Sequence, residues 1–197
     1  MNYLAHIYLS GNDRRIQVGN FIGDAVKGDA YKHYPSVIRE GILLHRKIDD
    51  YSDHHPAVKE AVALGRGEFG RYSPVVTDIF FDYFLAINFR EYAGVGLRRF
   101  AFGFYGGMLR NYAFLPPRIK GFLWHFILTN RLCRYATLEG VRQSLEIMVE
   151  YRGLQVSPSG AIELLAAHRE EWQVLFRDFF PDLQQMCRNE LAILPEG

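Results

Sequence analysis

Two cysteines, Cys133 and Cys187, are all the thiols the 197 residues contain, and neither sits near another ligand in sequence. That excludes a disulfide framework and a thiolate zinc site, and it points to a reducing, cytoplasmic setting. Long apolar runs are missing too. The most apolar stretches, "IFFDYFLAINF" and "GFLWHFIL", are too short and too interrupted to span a bilayer. The opening "MNYLAHIYLSGND" has no basic n-region and carries His6 inside its apolar run, so no signal peptide is expected. Alternating strand patterns, fixed-period repeats and compositional linkers are scarce or absent. So are a glycine-rich phosphate loop after a strand, a Gly-x-Ser-x-Gly turn, a paired catalytic cysteine and histidine, and the Glu-x-x-His pattern of di-iron bundles.

What the chain does have is apolar residues at three- and four-residue spacing along its whole length. This predicts one all-α domain over 1–197, with helices near 2–10, 14–27, 35–51, 56–64, 74–92, 96–112, 117–134, 137–152, 159–179 and 181–192. Pro35, Pro56, Pro74, Pro117, Pro158 and Pro181 suit first turns, where a missing N–H costs nothing. Ser73 and Thr137 suit N-caps, and Gly28, Gly65 and Gly153 suit left-handed exits. Net charge is +1, but residues 86–142 hold nine Arg/Lys against two Glu. A basic middle third suits an anionic partner or substrate.

Polar residues intrude on apolar faces in four places. At 100° per residue through 35–51, Ile38, Gly41, Ile42, His45, Ile48 and Asp49 share one stripe. Arg39, Arg46 and Asp50 point away, where an Arg46–Asp50 salt bridge is expected. Polar groups on a core-facing stripe cost roughly 2–7 kcal/mol each unless partnered, so His45 and Asp49 need a hydrogen-bond network or a cation. In "SPVVTDIFFDYFLAINF", Asp78 and Asp82 stand four apart on a helix that is apolar nearly all round. Two carboxylates about 4 Å apart at an effective dielectric of about 20 repel by about 4 kcal/mol, so one is protonated or a cation arrives from elsewhere. An arginine from the basic third or a metal is the candidate. Asn20 and Asp24 repeat the spacing, each preceded by a glycine, Gly19 and Gly23, that lets a backbone or ligand approach closely. Asn2 and His6 share a face of the first helix.

Imidazole plus carboxylates without thiolates is a ligand set for Mn²⁺, Mg²⁺, Fe²⁺ or Zn²⁺. The chemistry that remains is hydrolysis, in which a metal acidifies water and neutralises a phosphoryl oxygen. The stretches "MNYLAHIYLS", "GNFIGDAVKG", "GILLHRKIDDYSDHHP" and "VTDIFFDYFLA", in that order and spacing, resemble the acyl carrier protein phosphodiesterase family, a variant of the HD-type metal phosphohydrolases. The motifs cover about the first 90 residues.

The resemblance implies an HD-like helical bundle that cleaves the phosphodiester between 4′-phosphopantetheine and the serine of an acidic holo-acyl carrier protein, in fatty acid metabolism, with Mn²⁺ preferred. It implies His6, Asp24, His45, Asp49 and Asp78 as metal ligands, with Asp24, His6, His45 and Asp49 catalytic. Arg46, Asn20 and Asp82 are expected at the substrate. Asp53 matches the Thr/Ser-Asp that closes the third motif, whereas His54 and His55 have no assignment. Arg98, Arg99, Arg110, Arg118, Arg131 and Arg134, with Lys120, are expected to dock the carrier, and no nucleic-acid or membrane partner is expected. The chain departs from the family at Tyr83, where Asp-His-Phe-Leu is usual, and it lacks the literal His-Asp dipeptide of ordinary HD enzymes. Two rival readings stand beside this one: a phosphohydrolase of nucleotides or other small phosphoesters, and a non-enzymatic binding module whose polar core is an ion-pair network.

Overall fold

α-Helices and short 3₁₀ turns account for all the regular structure in the computed structural model, which describes residues 1–193. Among the described residues there is no strand, as the periodicity predicts. Residues 194–197 of the expected domain lie outside them. The helices are α1 (Tyr3–Leu9), α2 (Arg14–Ile22), α3 (Ser36–His54), α4 (Pro56–Phe69), α5 (Ser73–Ile87), α6 (Phe89–Ala93), α7 (Leu97–Arg110), α8 (Pro117–Leu128), α9 (Arg131–Arg134), α10 (Leu138–Arg152), α11 (Pro158–Ala167) and α12 (Arg169–Ala192). None is long and apolar enough to cross a membrane.

Helix α5 forms the centre because it is apolar nearly all round. Ile79, Phe80, Phe81, Phe84 and Leu85 are fully buried, and α12 covers them with Trp172, Phe176, Phe179 and Phe180. Edge-to-face and stacked ring pairs, such as Phe80–Trp172 at 5.1 Å and Phe81–Phe179 at 5.7 Å, knit the two helices together. Helices α2 and α3 approach more closely than side chains normally allow. A Cβ on Gly19 would lie 2.1 Å from the Ile38 carbonyl oxygen, and one on Gly41 would lie 2.2 Å from that of Ile16. Glycine at both positions lets the two backbones touch, which fixes the side chains of Asn20 and His45 relative to one another.

Several boundaries differ from the sequence expectation. Pro181 lies inside α12 and does not open a helix; the break falls at His168. Pro181 and Arg177 are both exposed, so the carbonyl freed four residues back faces water. Gly65 is buried mid-helix against Ser73, and the left-handed exit from α4 is Gly70 (φ +51°). The expected 117–134 helix breaks at Asn130 (φ +48°). The 14–27 helix stops at Ile22 and continues as a 3₁₀ turn over Gly23–Ala25. Ser73 is the first residue of α5, its hydroxyl donating to the Val62 carbonyl, whereas Thr137 caps α10 as expected. Pro35 sits at the N-cap of α3, one residue earlier than expected.

Candidate metal centre

The start of α1 explains the carboxylates of α5. A helix N-terminus leaves its first amides without intrahelical acceptors. Asn2 Oδ1 accepts from the Tyr3 amide at 2.8 Å, and the two oxygens of Asp82 accept from Leu4 and Ala5 at 2.8 and 3.1 Å. Asp82 is fully buried, and both its oxygens are held on backbone N–H groups. Burial pushes its carboxyl up, against the pull of those N–H groups and the Met1 ammonium. Asp78 receives the Met1 ammonium at 2.9 Å. The charge that relieves the expected Asp78–Asp82 repulsion thus comes from the beginning of the chain, not from the basic third. Tyr83, at the position of the family's usual histidine, is buried with Arg169 over its ring at 5.9 Å.

One helical turn further along α1, His6 meets two other helices, α2 and α3. His6 and His45 stack with centroids 4.1 Å apart and 24° between planes. Gly23 makes room for this, since a Cβ there would sit 2.4 Å from His45 Cγ. The Nδ1 atoms of both rings point at one oxygen, Asn20 Oδ1, at 2.8 and 3.2 Å. The Nε2 atoms both point at Asp49, His6 to Oδ1 at 3.1 Å and His45 to Oδ2 at 3.2 Å. Asp24 Oδ1 lies 3.7 Å from His45 Nε2, and its Oδ2 lies 3.9 Å from Arg152.

Hydrogen-bond polarity in this cluster is fixed from the backbone outward. The Ser10 hydroxyl donates its one proton to the His6 carbonyl at 2.8 Å. Its oxygen must therefore accept from Asn20 Nδ2, also at 2.8 Å, which turns Asn20 Oδ1 toward the imidazoles. A neutral imidazole has one donor and one acceptor nitrogen. Whichever tautomer a neutral His6 adopts, one nitrogen faces an oxygen without a proton between them, at Asn20 or at Asp49. Only a cation on the Nε2 side satisfies both contacts: a proton on the ring or a metal ion.

The rings cannot both answer with protons at low cost. Burial and the neighbouring imidazole hold His6 down at about 4. Burial would lower His45 as well, but Asp24 and Asp49 outweigh it and push that ring up to about 9. His45, the Arg152 guanidinium and Lys27 in turn hold Asp24 down at about 2, and both imidazoles hold Asp49 well below the usual carboxylate range despite its partial burial. His6, His45 and Asp49 bring three donor atoms within 4.8 Å of one another. Two imidazole nitrogens and a carboxylate, with the other nitrogen of each ring held by Asn20, form a donor set suited to a divalent ion. One such ion would replace two protons.

The structure separates the sequence-predicted residues. His6, His45, Asp49 and Asn20 come together, and Asp24 stands at the edge with its side chain 48% exposed. Asp49 lies less deep than the stripe predicts: the isoleucines and His45 are buried, but its side chain is 44% exposed and opens the cluster to solvent. Asp78 lies outside the 4.8 Å cluster. Asn20 is fully buried, with its amide spent on Ser10 and the two rings. Arg46 makes no bridge to Asp50. It donates to the Val26 and Gly28 carbonyls at 3.2 and 2.7 Å and stacks on Tyr31, because the irregular 26–28 segment leaves carbonyls in need of donors. Asp53 is exposed; His54 bonds back to the Asp50 carbonyl, and His55 caps α4 through the Ala57 amide. Of the expected docking set, Arg98, Arg99, Arg110 and Arg118 are exposed and Lys120 is half-buried. Arg134 is tied to the Thr129 carbonyl and Gln143, and Arg131 is buried in a cavity wall, so it does not belong to an outer docking surface.

Two participants escape sequence reasoning. Ser10 follows His6 by four residues and could have been read as the third member of an Asn2–His6–Ser10 stripe. Arg152 reaches Asp24 from the far end of α10, and no local signal connects them.

Comparison with known proteins matches the sequence of this chain to a family. A family profile described as "Acyl carrier protein phosphodiesterase" matches residues 1–183. The protein named acyl carrier protein phosphodiesterase from Pectobacterium atrosepticum is 29% identical over 191 residues, 96% of this chain and 99% of its own length. Those of the same name from Yersinia pestis and Salmonella dublin are 27% and 29% identical, covering 96% and 97% of this chain and 99% and 100% of their own. No solved structure matches this chain. With the profile spanning all but the last fourteen residues, the chain belongs to the acyl carrier protein phosphodiesterase family.

Proposed function

We propose that this chain hydrolyses the phosphodiester that joins 4′-phosphopantetheine to the carrier serine of holo-acyl carrier protein, giving apo carrier and free 4′-phosphopantetheine. Water adds its oxygen to phosphorus, the bond from phosphorus to the serine oxygen breaks, and the serine leaves as its alcohol. The observation that carries the reading is the pair of imidazole Nε2 atoms converging on Asp49 with their opposite nitrogens fixed on Asn20. The names of full-length relatives supply the substrate.

A divalent ion, Mn²⁺ by the family resemblance with Mg²⁺ or Fe²⁺ as alternatives, would supply an acidified water and a counter-charge for the phosphoryl oxygens. His6, His45, Asp49 and Asp24 would hold it. Asn20 orients both rings, and Ser10 orients Asn20. Asp49, open to solvent on one side, would leave the ion a face toward water, and Arg152 beside Asp24 would offer charge to a phosphoryl oxygen. The exposed Arg98, Arg99, Arg110 and Arg118, with Lys120, would steer the acidic carrier, an effect on association rate and salt dependence.

Mass spectrometry of holo carrier incubated with the chain and Mn²⁺ tests the proposal. The carrier should lose the mass of phosphopantetheine, and a nucleotide panel should turn over far more slowly. An unchanged carrier mass under conditions where a nucleotide is hydrolysed would move the activity to small phosphoesters.

A further inference from the structure

A cavity of about 590 Å³ lies beside the metal centre, between α8, α9 and α10. Tyr3, Phe122, Phe126, Arg131, Met148 and Arg152 contribute to its wall. Two residues link it to the cluster: Tyr3 precedes His6 by one turn of α1, and Arg152 at the cavity reaches Asp24 at 3.9 Å. The Tyr3 phenol lies within electrostatic reach of Asp24, Arg118, Arg131 and Arg152 together.

Arg131 is the anomaly in that wall. It is 8% exposed, and among the described residues its guanidinium makes no hydrogen bond and no ion pair; its ionisable neighbours are Arg134 and the phenols of Tyr135, Tyr3 and Tyr105. Arginines elsewhere are satisfied with far less burial, as Arg142 is by Glu139 and Glu146. Its nitrogens are not among the enclosed polar atoms left without a partner in the described residues, so its five donors face the cavity and are free for oxygen ligands there. A single cavity with a phosphate-matching fork, Arg118 and Arg152 against one carboxylate, Glu150, and apolar walls of Phe122, Phe126 and Met148 suits an anionic head on an arm that mixes methyl and methylene groups with amides.

Size selects which side of a carrier diester could enter. Ligand cavities run from about 300 to 1,000 Å³, which accommodates a small arm but not a folded carrier. We propose that this cavity seats the phosphopantetheine side of the diester, with Arg131 donating to a non-bridging phosphate oxygen while the carrier stays outside. This rests on the proposed reaction. It makes Arg131 a substrate-binding residue, and it makes free 4′-phosphopantetheine a ligand of the same cavity after cleavage.

Calorimetric titration of the chain with 4′-phosphopantetheine, pantetheine and inorganic phosphate in chelator, beside steady-state kinetics on holo carrier with Mn²⁺, tests it. 4′-Phosphopantetheine should bind at least about tenfold more tightly than either pantetheine or phosphate. Arg131→Gln should erase that advantage and raise KM for holo carrier about tenfold or more with a smaller change in kcat, and Arg131→Lys should fall between. Should Arg131→Gln fail to fold, Ile147→Trp, which fills the cavity from its wall, should weaken 4′-phosphopantetheine to the same degree. Binding within twofold of wild type in the folded variants overturns the inference, as does phosphate binding as tightly as 4′-phosphopantetheine. Carrier cleavage with an unchanged KM in Arg131→Gln refutes the cavity assignment and leaves the reaction standing. Arginine-dependent binding without carrier cleavage does the reverse.

Discussion

Asp82 and Asp49 are the same residue type, each four residues after another polar group on a helix facing the core, yet they occupy opposite kinds of site. Asp82 is fully buried, and each oxygen meets a backbone N–H that has no other acceptor. Asp49 is half-open, and each oxygen meets an imidazole nitrogen whose partner nitrogen is already committed to Asn20. The hydrogen-bond accounting closes at Asp82 without a ligand. At Asp49 it closes only with an added cation. Burial alone would rank Asp82 above Asp49 as a candidate for chemistry; the donor and acceptor count reverses that order.

Breaking each carboxylate should therefore give opposite phenotypes. Asp49→Asn should lower turnover of holo carrier on the order of a hundredfold or more, about 2.7 kcal/mol of barrier, while the chain still folds in chelator with only the loss of its His45 and His6 contacts. Turnover within a few-fold of wild type would remove Asp49 from the site. Asp82→Ala should instead cost about 3 kcal/mol of stability, because two amides of α1 lose their acceptors in a dry environment. Urea unfolding reads this directly, and a midpoint like that of wild type would deny the capping role.

The two glycines of α2 and the 3₁₀ turn sharpen the contrast. A Cβ at Gly19 collides with backbone, the Ile38 carbonyl, so Gly19→Ala should force α2 and α3 apart at about 1–3 kcal/mol. A Cβ at Gly23 collides with the His45 ring, so Gly23→Ala should cost activity more than stability. Paired melting curves and turnover numbers distinguish them, and the same pattern in both variants would count against the assignment.

A smaller effect concerns pH. In the metal-free protein His45 is raised to about 9 from an ordinary value near 6.5. Its contribution to stability is therefore fully present below about pH 6.5 and is lost as pH climbs through about 9. The same proton competes with metal, so Mn²⁺ affinity should rise with pH over that window. A flat affinity between pH 6.5 and 8.5 would show that His45 is not displaced.

Much of this was legible in the sequence because helical phase is a strong signal. The inward turn of His45 with Ile38, Ile42 and Ile48 follows from spacing alone. The close-approach role of Gly19 and Gly23 follows from glycine's missing side chain, although not which neighbour each would admit. Other features depend on what tertiary structure brings near. Neither the backbone acceptors needed at the start of α1 nor the 3.9 Å approach of Arg152 to Asp24 leaves a trace in local pattern. Arg131 is the sharpest case. Its place in a basic segment suggests a surface residue, but the turn at Asn130 after α8 directs it into a cavity.

Mn²⁺ titration of metal-stripped protein, followed by the electron paramagnetic resonance signal of free Mn²⁺, tests the central claim most directly when wild type, Asp49→Asn and Asp82→Asn are compared. Wild type and any folded Asp82→Asn should deplete free Mn²⁺ and gain melting temperature in proportion to occupancy, and Asp49→Asn should do neither. Equal Mn²⁺ binding by wild type and Asp49→Asn would contradict the account.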